Sequence, residues 1–395
     1  MDTYVHATSV AAHVLRLRSL KKIKRFYEER KANIMKITNI RTYKMQVPLV
    51  RPFRIALGLI THAESCLVEI ETDAGILGYG EGSPGPLITG ENLAGTVATI
   101  EKLKADLIGM DPCDIEAIYT VMNRAVAHAG TAKAAIDLAC HDIIGKCAGM
   151  PLYKVLGGYS DEIVTDMTVG IDEPEVMAAQ AKAHVEAGFD TIKTKVGTDF
   201  ASDLARVRAI REAVGDDVKI RLDANQGWKA KEAVELIRRL DEYDIELVEQ
   251  PVPRFDFEGL KYVTANSSVP IMADESCWDS KDALRLVSER AVDFINIKLM
   301  KCGGLYEAKK INAIAQAAGV EVMLGCMAEE SGIAINASAA LGSALKNITR
   351  ADLDATFSLK ALPFEGGLTV KDTCHLVLSS EPGLGITGLH KEMLS

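Results

Sequence analysis

The sequence predicts an α/β protein, a closed parallel barrel of alternating strands and helices preceded by a smaller α+β region. Three observations carry this. Short apolar segments recur eight times after about Ile163, roughly every 24 to 30 residues. Amphipathic helical segments lie between them. No Rossmann glycine fingerprint opens the series, which favours a closed barrel over an open sheet. A chain of 395 residues accommodates a barrel of about 250 residues together with a partner domain.

Taken in order, residues 1–34 form a basic extension, with eight Lys or Arg against three acids. This local balance of +5 leaves −15 for the remainder of a net −10 chain. The extension reads as poorly ordered, an over-long start with Met35 as the true beginning. A transit peptide or a nucleic-acid arm is the sharper alternative. From Met35 to about Gly80 the pattern is strands and turns, with Ser65–Glu71 leading into an Asp73-Ala74-Gly75 hairpin turn. Residues 91–108, 114–125 and 131–147 carry apolar side chains at helical spacing. The expected barrel strands are Val164–Val169, Thr191–Val196, Lys219–Ala224, Leu247–Pro251, Ile271–Glu275, Phe294–Leu299, Glu321–Gly325 and Ile348–Asp354. The tail is rich in Gly and short apolar runs and has no helix of its own, so it is expected to return to the first domain. The domain division is therefore 1–34, 35–160 (α+β cap), 161–360 (barrel) and 361–395 (return to the cap).

Composition narrows the function. Apolar residues make up 48% and charged residues 25%, the balance of a globular protein. No run of about 18 apolar residues spans a membrane. The net −10 charge argues against general nucleic-acid binding. Eight cysteines without a Cys-x-x-Cys motif read as reduced thiols, and no secretory signal is visible, so the cytoplasm is the expected compartment.

Barrel chemistry sits at the C-terminal ends of the strands, and this sequence places charge at six of the eight. Asp223, Glu249 and Asp274 end three successive strands. Any one of them would suit a lysine partner or a helix cap. Three converging on one rim repel one another unless a cation sits among them, and all-oxygen ligands select Mg²⁺ or Mn²⁺. Lys193 and Lys195 lie two apart on the second strand, so period two sends both inward. There each ammonium is expected to depress the pKa of the other. Lys298 on the sixth strand faces them across the barrel. A substrate between Lys195 and Lys298 has a base on each face, with Lys193 as electrostatic support. One removes an α proton and the other returns a proton from the opposite side, with metal at the carboxylate.

Lys-x-Lys followed by Asp223, Glu249, Asp274 and Lys298 resembles the muconate lactonizing branch of the enolase superfamily, from about Met35 to the C-terminus. The resemblance implies a modified TIM barrel, (β/α)7β, with an N-terminal α+β capping domain. It also implies bound Mg²⁺ and, as commonly in this family, a homo-oligomer. That branch includes cycloisomerases, o-succinylbenzoate synthases, N-acylamino acid racemases and dipeptide epimerases. Asp352 and Asp354, an Asp-x-Asp on the eighth strand, resemble the pair by which the epimerases hold a free ammonium group. Two carboxylates there would repel muconate or a succinyl group. The resemblance also implies substrate contacts at Thr168, Lys193, Asn225, Cys326, Met327 and Ala328; for Thr168 and the 326–328 stretch, simple packing at the rim is the alternative. No His stands on strand seven, which departs from the mandelate racemase branch. Gly58 stands where Ala-Glu epimerases carry an Arg that pairs with the glutamate side chain. A hydrophobic or aromatic second residue is therefore expected, its pocket lined by Phe53, Ile55 and Ile60 unless these are ordinary cap core. The resulting expectation is Mg²⁺-dependent epimerisation of L,L-dipeptides to L,D-dipeptides, with no nucleic-acid or membrane partner. An N-acylamino acid racemase or o-succinylbenzoate synthase is the alternative, and a non-catalytic metal-binding homologue the third reading.

Overall fold

The computed structural model describes residues 35–395, so the expectations for the basic leader lie outside the described residues. A long antiparallel hairpin opens the fold. Strand β1 (Ile37–Ile55) pairs with β2 (Gly58–Thr72), which pairs with β3 (Leu77–Gly82). Alternation buries Ile37, Ile40, Cys66, Val68 and Ile70 on one face. Helices α1 (Leu93–Leu107), α2 (Ile115–Ala125) and α3 (Gly130–Ala148) cover that face. They fall within one or two residues of the periodic segments read from the sequence. Asn92 caps α1 by accepting from the Gly95 N–H.

Helix α3 is buried nearly all round, because it lies between the cap sheet and the barrel. The glycines of β3 permit this contact. A Cβ at Gly78 would stand 2.3 Å from the Ala139 carbonyl oxygen, and one at Gly80 would stand 2.0 Å from that of Ala135. One face of β3 therefore touches α3 through backbone alone. By period two, the intervening Tyr79 and Glu81 point the other way.

Pairing of β1 with β2 is interrupted between Pro48 and Phe53, where proline has no N–H to give. Beyond the interruption the hairpin tip leans over the barrel. Leu49 bridges to Leu359, and Arg54 O accepts the Ile171 N–H at 2.8 Å.

Eight parallel strands form the barrel: β5 (Met167–Val169), β6 (Thr191–Lys195), β7 (Lys219–Asp223), β8 (Ile245–Glu249), β9 (Ile271–Ala273), β10 (Phe294–Lys298), β11 (Glu321–Gly325) and β12 (Ile348–Asp352). The Asp166 N–H donates to Ala351 O at 3.2 Å, bringing first and last together. Helices follow seven of the eight, and all but the fully buried Ile333–Ala344 have a solvent-facing side. In Ala230–Leu240, for example, Ala233, Leu236, Ile237 and Leu240 form the buried stripe. After β12 there is only a 3₁₀ turn, Ala355–Ser358. The architecture is (β/α)7β with a capping domain, as expected.

Several boundaries differ from the sequence reading. The segment read as the first barrel strand is two strands. β4 (Glu162–Val164) joins β14 (Thr369–Lys371) and β15 (His375–Val377) in an antiparallel sheet, and only Met167–Val169 enters the barrel. Asp274 and Asp354 lie just beyond their strands. In the tail, β13 (Phe364–Gly366) pairs with β16 (Ile386–Leu389), and Ser395 exchanges backbone hydrogen bonds of 2.7 and 3.0 Å with Lys44 of β1.

Candidate active site

Parallel register sets the charged residues side by side. Lys195 pairs with Asp223 and Asp223 with Glu249, while Lys298 pairs with Gly325 and Gly325 with Asp352. Strands β6 and β10 are second and sixth of eight, so their lysines approach the barrel axis from opposite sides.

The acids and amines interlock. Lys193 Nζ lies 2.6 Å from Asp352 Oδ2, 2.7 Å from Glu249 Oε2 and 3.2 Å from Asp223 Oδ2. Lys195 Nζ donates to Asp223 Oδ2 at 2.5 Å, and Lys298 Nζ stands 2.9 Å from Asp274 Oδ2. Two further residues escaped the sequence reading. Asn296 Nδ2 donates to Glu249 Oε1 at 2.7 Å, and Lys301 Nζ donates to Asp274 Oδ1 at 2.5 Å. Asn296 could have been found, since it shares the face of β10 with Lys298. Lys301 sits in a short helix after the strand, where strand period says nothing.

Among the described residues, no three acid, His or Cys side chains are grouped tightly enough to grip an ion as they stand. Ammonium groups occupy the space between the carboxylates, one nitrogen of Lys193 reaching Asp223 and Glu249 together. Acids that share one ammonium can also share a small cation. Glu249 Oε2 and Asp274 Oδ2 are buried with only the Lys193 and Lys298 ammonium groups beside them, so positive charge is their only compensation. With oxygen donors alone, Asp223, Glu249 and Asp274 fit Mg²⁺.

Electrostatics corrects one expectation. Lys193 and Lys195 were expected to depress each other, yet Lys193 is held above the ordinary lysine range, as is Lys298 across the barrel. Burial opposes their charge, but Asp352 and Glu249 outweigh it at Lys193, and Asp274 does so at Lys298. Burial raises Glu249 to about 7, with the Asp223 charge adding to it and Lys193 opposing. Burial also opposes ionisation of Asp223 and Asp274, but adjacent ammonium groups hold both below the usual carboxylate range.

Above these charges lies a cavity of about 790 Å³, counting its open mouth. Lys195 and Lys298 line it, together with Thr168, Asn225, Cys326, Met327, Ala328, Asp352, Asp354 and Phe53. Lys193 does not; it is 1% exposed and lies beneath the floor. Asp223, Glu249 and Asp274 lie below the lysine tips, each fully buried. Asp352 and Asp354 meet at Thr168, whose Oγ1 donates to Asp352 at 3.2 Å and whose N–H donates to Asp354 at 2.7 Å. Against burial, Lys193 and Lys195 hold Asp352 at about 2, whereas burial and the charge of Asp352 raise Asp354 to about 6. The cap contributes an apolar wall of Leu49, Phe53, Ile55, Ile60, Leu87 and Ile88. Glu329 also lines the cavity and was missed; burial raises it to about 7.

Two family models match this chain: the mandelate racemase / muconate lactonizing enzyme N-terminal domain over residues 37–157, and the enolase C-terminal domain-like model over 176–391. A hydrophobic dipeptide epimerase of Enterococcus faecalis (strain ATCC 700802 / V583) is 56% identical over 353 residues, 89% of this chain and 100% of that protein. An L-Ala-D/L-Glu epimerase of Bacillus subtilis (strain 168) is 45% identical over 358 residues, 90% of this chain and 97% of that protein. The crystal structure of the Enterococcus faecalis V583 dipeptide epimerase with Mg and L-Leu-L-Tyr superposes with a TM-score of 0.88 at 56% identity, covering 89% of this chain and 99% of that one.

Proposed function

The chain belongs to the mandelate racemase / muconate lactonizing enzyme family of the enolase superfamily, and we propose that it is a Mg²⁺-dependent dipeptide epimerase, an isomerase inverting the second residue of L,L-dipeptides that carry a hydrophobic or aromatic side chain there. One observation carries the reading: Lys195 and Lys298 come from opposite sides of the barrel to a single cavity that also holds Asp352 and Asp354. Asp223, Glu249 and Asp274 would hold the ion, which supplies positive charge for the substrate carboxylate when the α proton leaves.

Asp352 and Asp354 bind the dipeptide ammonium and so fix which α carbon lies between the lysines. The neutral lysine takes the α proton, and the C–H electron pair moves into the adjoining carboxylate. The other lysine, as its ammonium, gives a proton to the opposite face. The configuration inverts, and the protonation states of the two lysines are exchanged. Lys193, below the floor, keeps Asp352 ionised. The apolar cap wall takes the second side chain, and no basic residue of the hairpin lines the cavity to receive an acidic one. N-acyl substrates lack the ammonium that two adjacent carboxylates require, which disfavours the racemase alternative.

In deuterated water the wild-type enzyme is expected to label the second α carbon while forming the L,D product. Lys298→Ala should lose at least ~10²-fold in epimerisation, the usual contribution of general acid–base catalysis. Wild-type turnover by that variant, or equal turnover of N-acetylated dipeptides, would overturn the reading.

Three coarser matters belong to the same proposal. Residues 35–160 act as the cap, 161–360 as the barrel and 361–395 as the segment returning to the cap, supported by the Lys44–Ser395 pairing. A reducing cytoplasmic compartment is supported by eight unpaired cysteines. Homo-oligomerisation belongs to the proposal as the common state of the family; light scattering giving only the monomer mass would refute it.

A further inference from the structure

The loop between β11 and the following helix, Ile333–Ala344, supplies Cys326, Met327, Ala328 and Glu329 to the cavity wall. That helix has twelve buried residues, and its N-cap position is Gly332, which has no side chain to cap the first turn. The first N–H groups of such a helix need an acceptor from elsewhere. Glu81 of β3 provides it from the other domain. Its Oε1 accepts from the Ser331 N–H at 2.5 Å and its Oε2 from the Ala334 N–H at 2.9 Å. Ser65 of β2 donates its hydroxyl to Glu81 Oε1 at 2.7 Å and also lies 3.1 Å from the Glu329 carbonyl oxygen. Glu81 is fully buried. Burying a carboxylate is costly unless donors surround it, and here three donors do so.

At its start the loop is held by the barrel, the Cys326 N–H donating to Asp352 O at 3.0 Å, and the stretch beyond has fewer ties. Glu330 Oε1 accepts the Met327 N–H at 2.9 Å, but this bond lies within the loop, and Glu330 Oε2 is buried without a partner. The bonds of Glu81 and Ser65 therefore tie the loop to the cap.

We propose that Glu81 is a positioning residue for substrate binding: it caps the barrel helix Ile333–Ala344 from the other domain and so holds Cys326–Glu329 at the depth a dipeptide requires. The glycine face of β3 against α3 delivers it there. Because the strand rests on the backbone of α3, the carboxylate is held at a fixed distance from that helix, and α3 in turn lies against the barrel side, where a Cβ at Gly130 would stand 2.5 Å from Met300 O. The inference rests on the dipeptide reading only for the ligand, since the capping geometry is independent of it.

The test compares wild type, Glu81→Gln, Glu81→Ala and Ser65→Ala, with kinetics per folded site on an L,L-dipeptide with an aromatic second residue. Hydrogen exchange of residues 326–336 is followed in the same samples. In Glu81→Ala, KM should rise about tenfold with kcat changed less, the scale of one or two lost charge-assisted hydrogen bonds. The Ser331 and Ala334 amides should lose protection. Glu81→Gln, with one acceptor oxygen, should fall between; Ser65→Ala should show a smaller rise and serves if Glu81→Ala does not fold. Unchanged KM with a lowered melting temperature, or loss of kcat at constant KM, would overturn the proposal. Lack of wild-type turnover of any dipeptide would instead sink the functional reading, and the exchange data would still report on the cap.

Discussion

At the scale of single residues, the two acids proposed to bind the substrate ammonium are unequal, and the inequality is measurable. Asp352 stays ionised because Lys193 and Lys195 outweigh its burial, whereas burial and the charge of Asp352 bring Asp354 to about 6. Asp354 therefore gains a proton as pH falls through about 6, and the substrate ammonium loses one of its two anionic partners. KM should rise by about tenfold between roughly pH 7.5 and 5, and more than kcat changes. Asp354→Asn should start with a high KM and lack this dependence; a steep rise retained in that variant would assign the titration elsewhere. Most of these residues were legible because strand period two and strand order fix which side chains turn inward. What was not legible was the sign at the lysines. Their mutual repulsion can be read from Lys-x-Lys, but the closeness of Glu249, Asp352 and Asp274 is a matter of tertiary distances.

At the scale of elements, specificity for the second residue should reside in the β1–β2 hairpin. Gly58 pairs with Ile55 at its tip. A Cβ there would first meet Leu87 Cδ1 at 2.8 Å, the far end of a flexible side chain. Gly58→Arg should therefore be tolerated. It is expected to raise kcat/KM for a glutamate second residue about tenfold relative to a leucine one, by adding a charge-assisted pair. Competition between the two dipeptides measures this, and an unchanged ratio would remove Gly58 from the specificity argument. Cap helices and barrel strands were legible from periodicity. The break at Thr165–Asp166 was not, because it depends on partners: the Thr165 N–H goes to Cys374 O, and Asp166 accepts from Arg221 at 2.8 Å. Nothing in local alternation shows a strand changing sheets. Asp354 lies beyond its strand for a related reason, its carboxylate being turned back by the Thr168 N–H.

For the whole molecule, folding and ion binding should be linked, since a cation held only by the native arrangement of three buried acids stabilises the folded state. Saturating Mg²⁺ should raise the melting temperature by a few degrees relative to chelator-treated protein, corresponding to ~2 kcal/mol. Identical melting with and without Mg²⁺ would mean that the lysines alone compensate the acids. The overall architecture was legible from eight recurring units. The close packing of β3 on α3 was not, because glycine in a strand signals a bulge or a bend as readily as a close approach. The bare side of β3 acts as a mechanical stop. Bond lengths and van der Waals radii, rather than rotamers, fix the gap between strand and helix, and with it the place of Glu81 on the far side of the strand. New substrate preferences can then arise by exchanging side chains at the hairpin tip, while a single methyl group added at Gly80 would push β3 off α3 and carry Glu81 away with it.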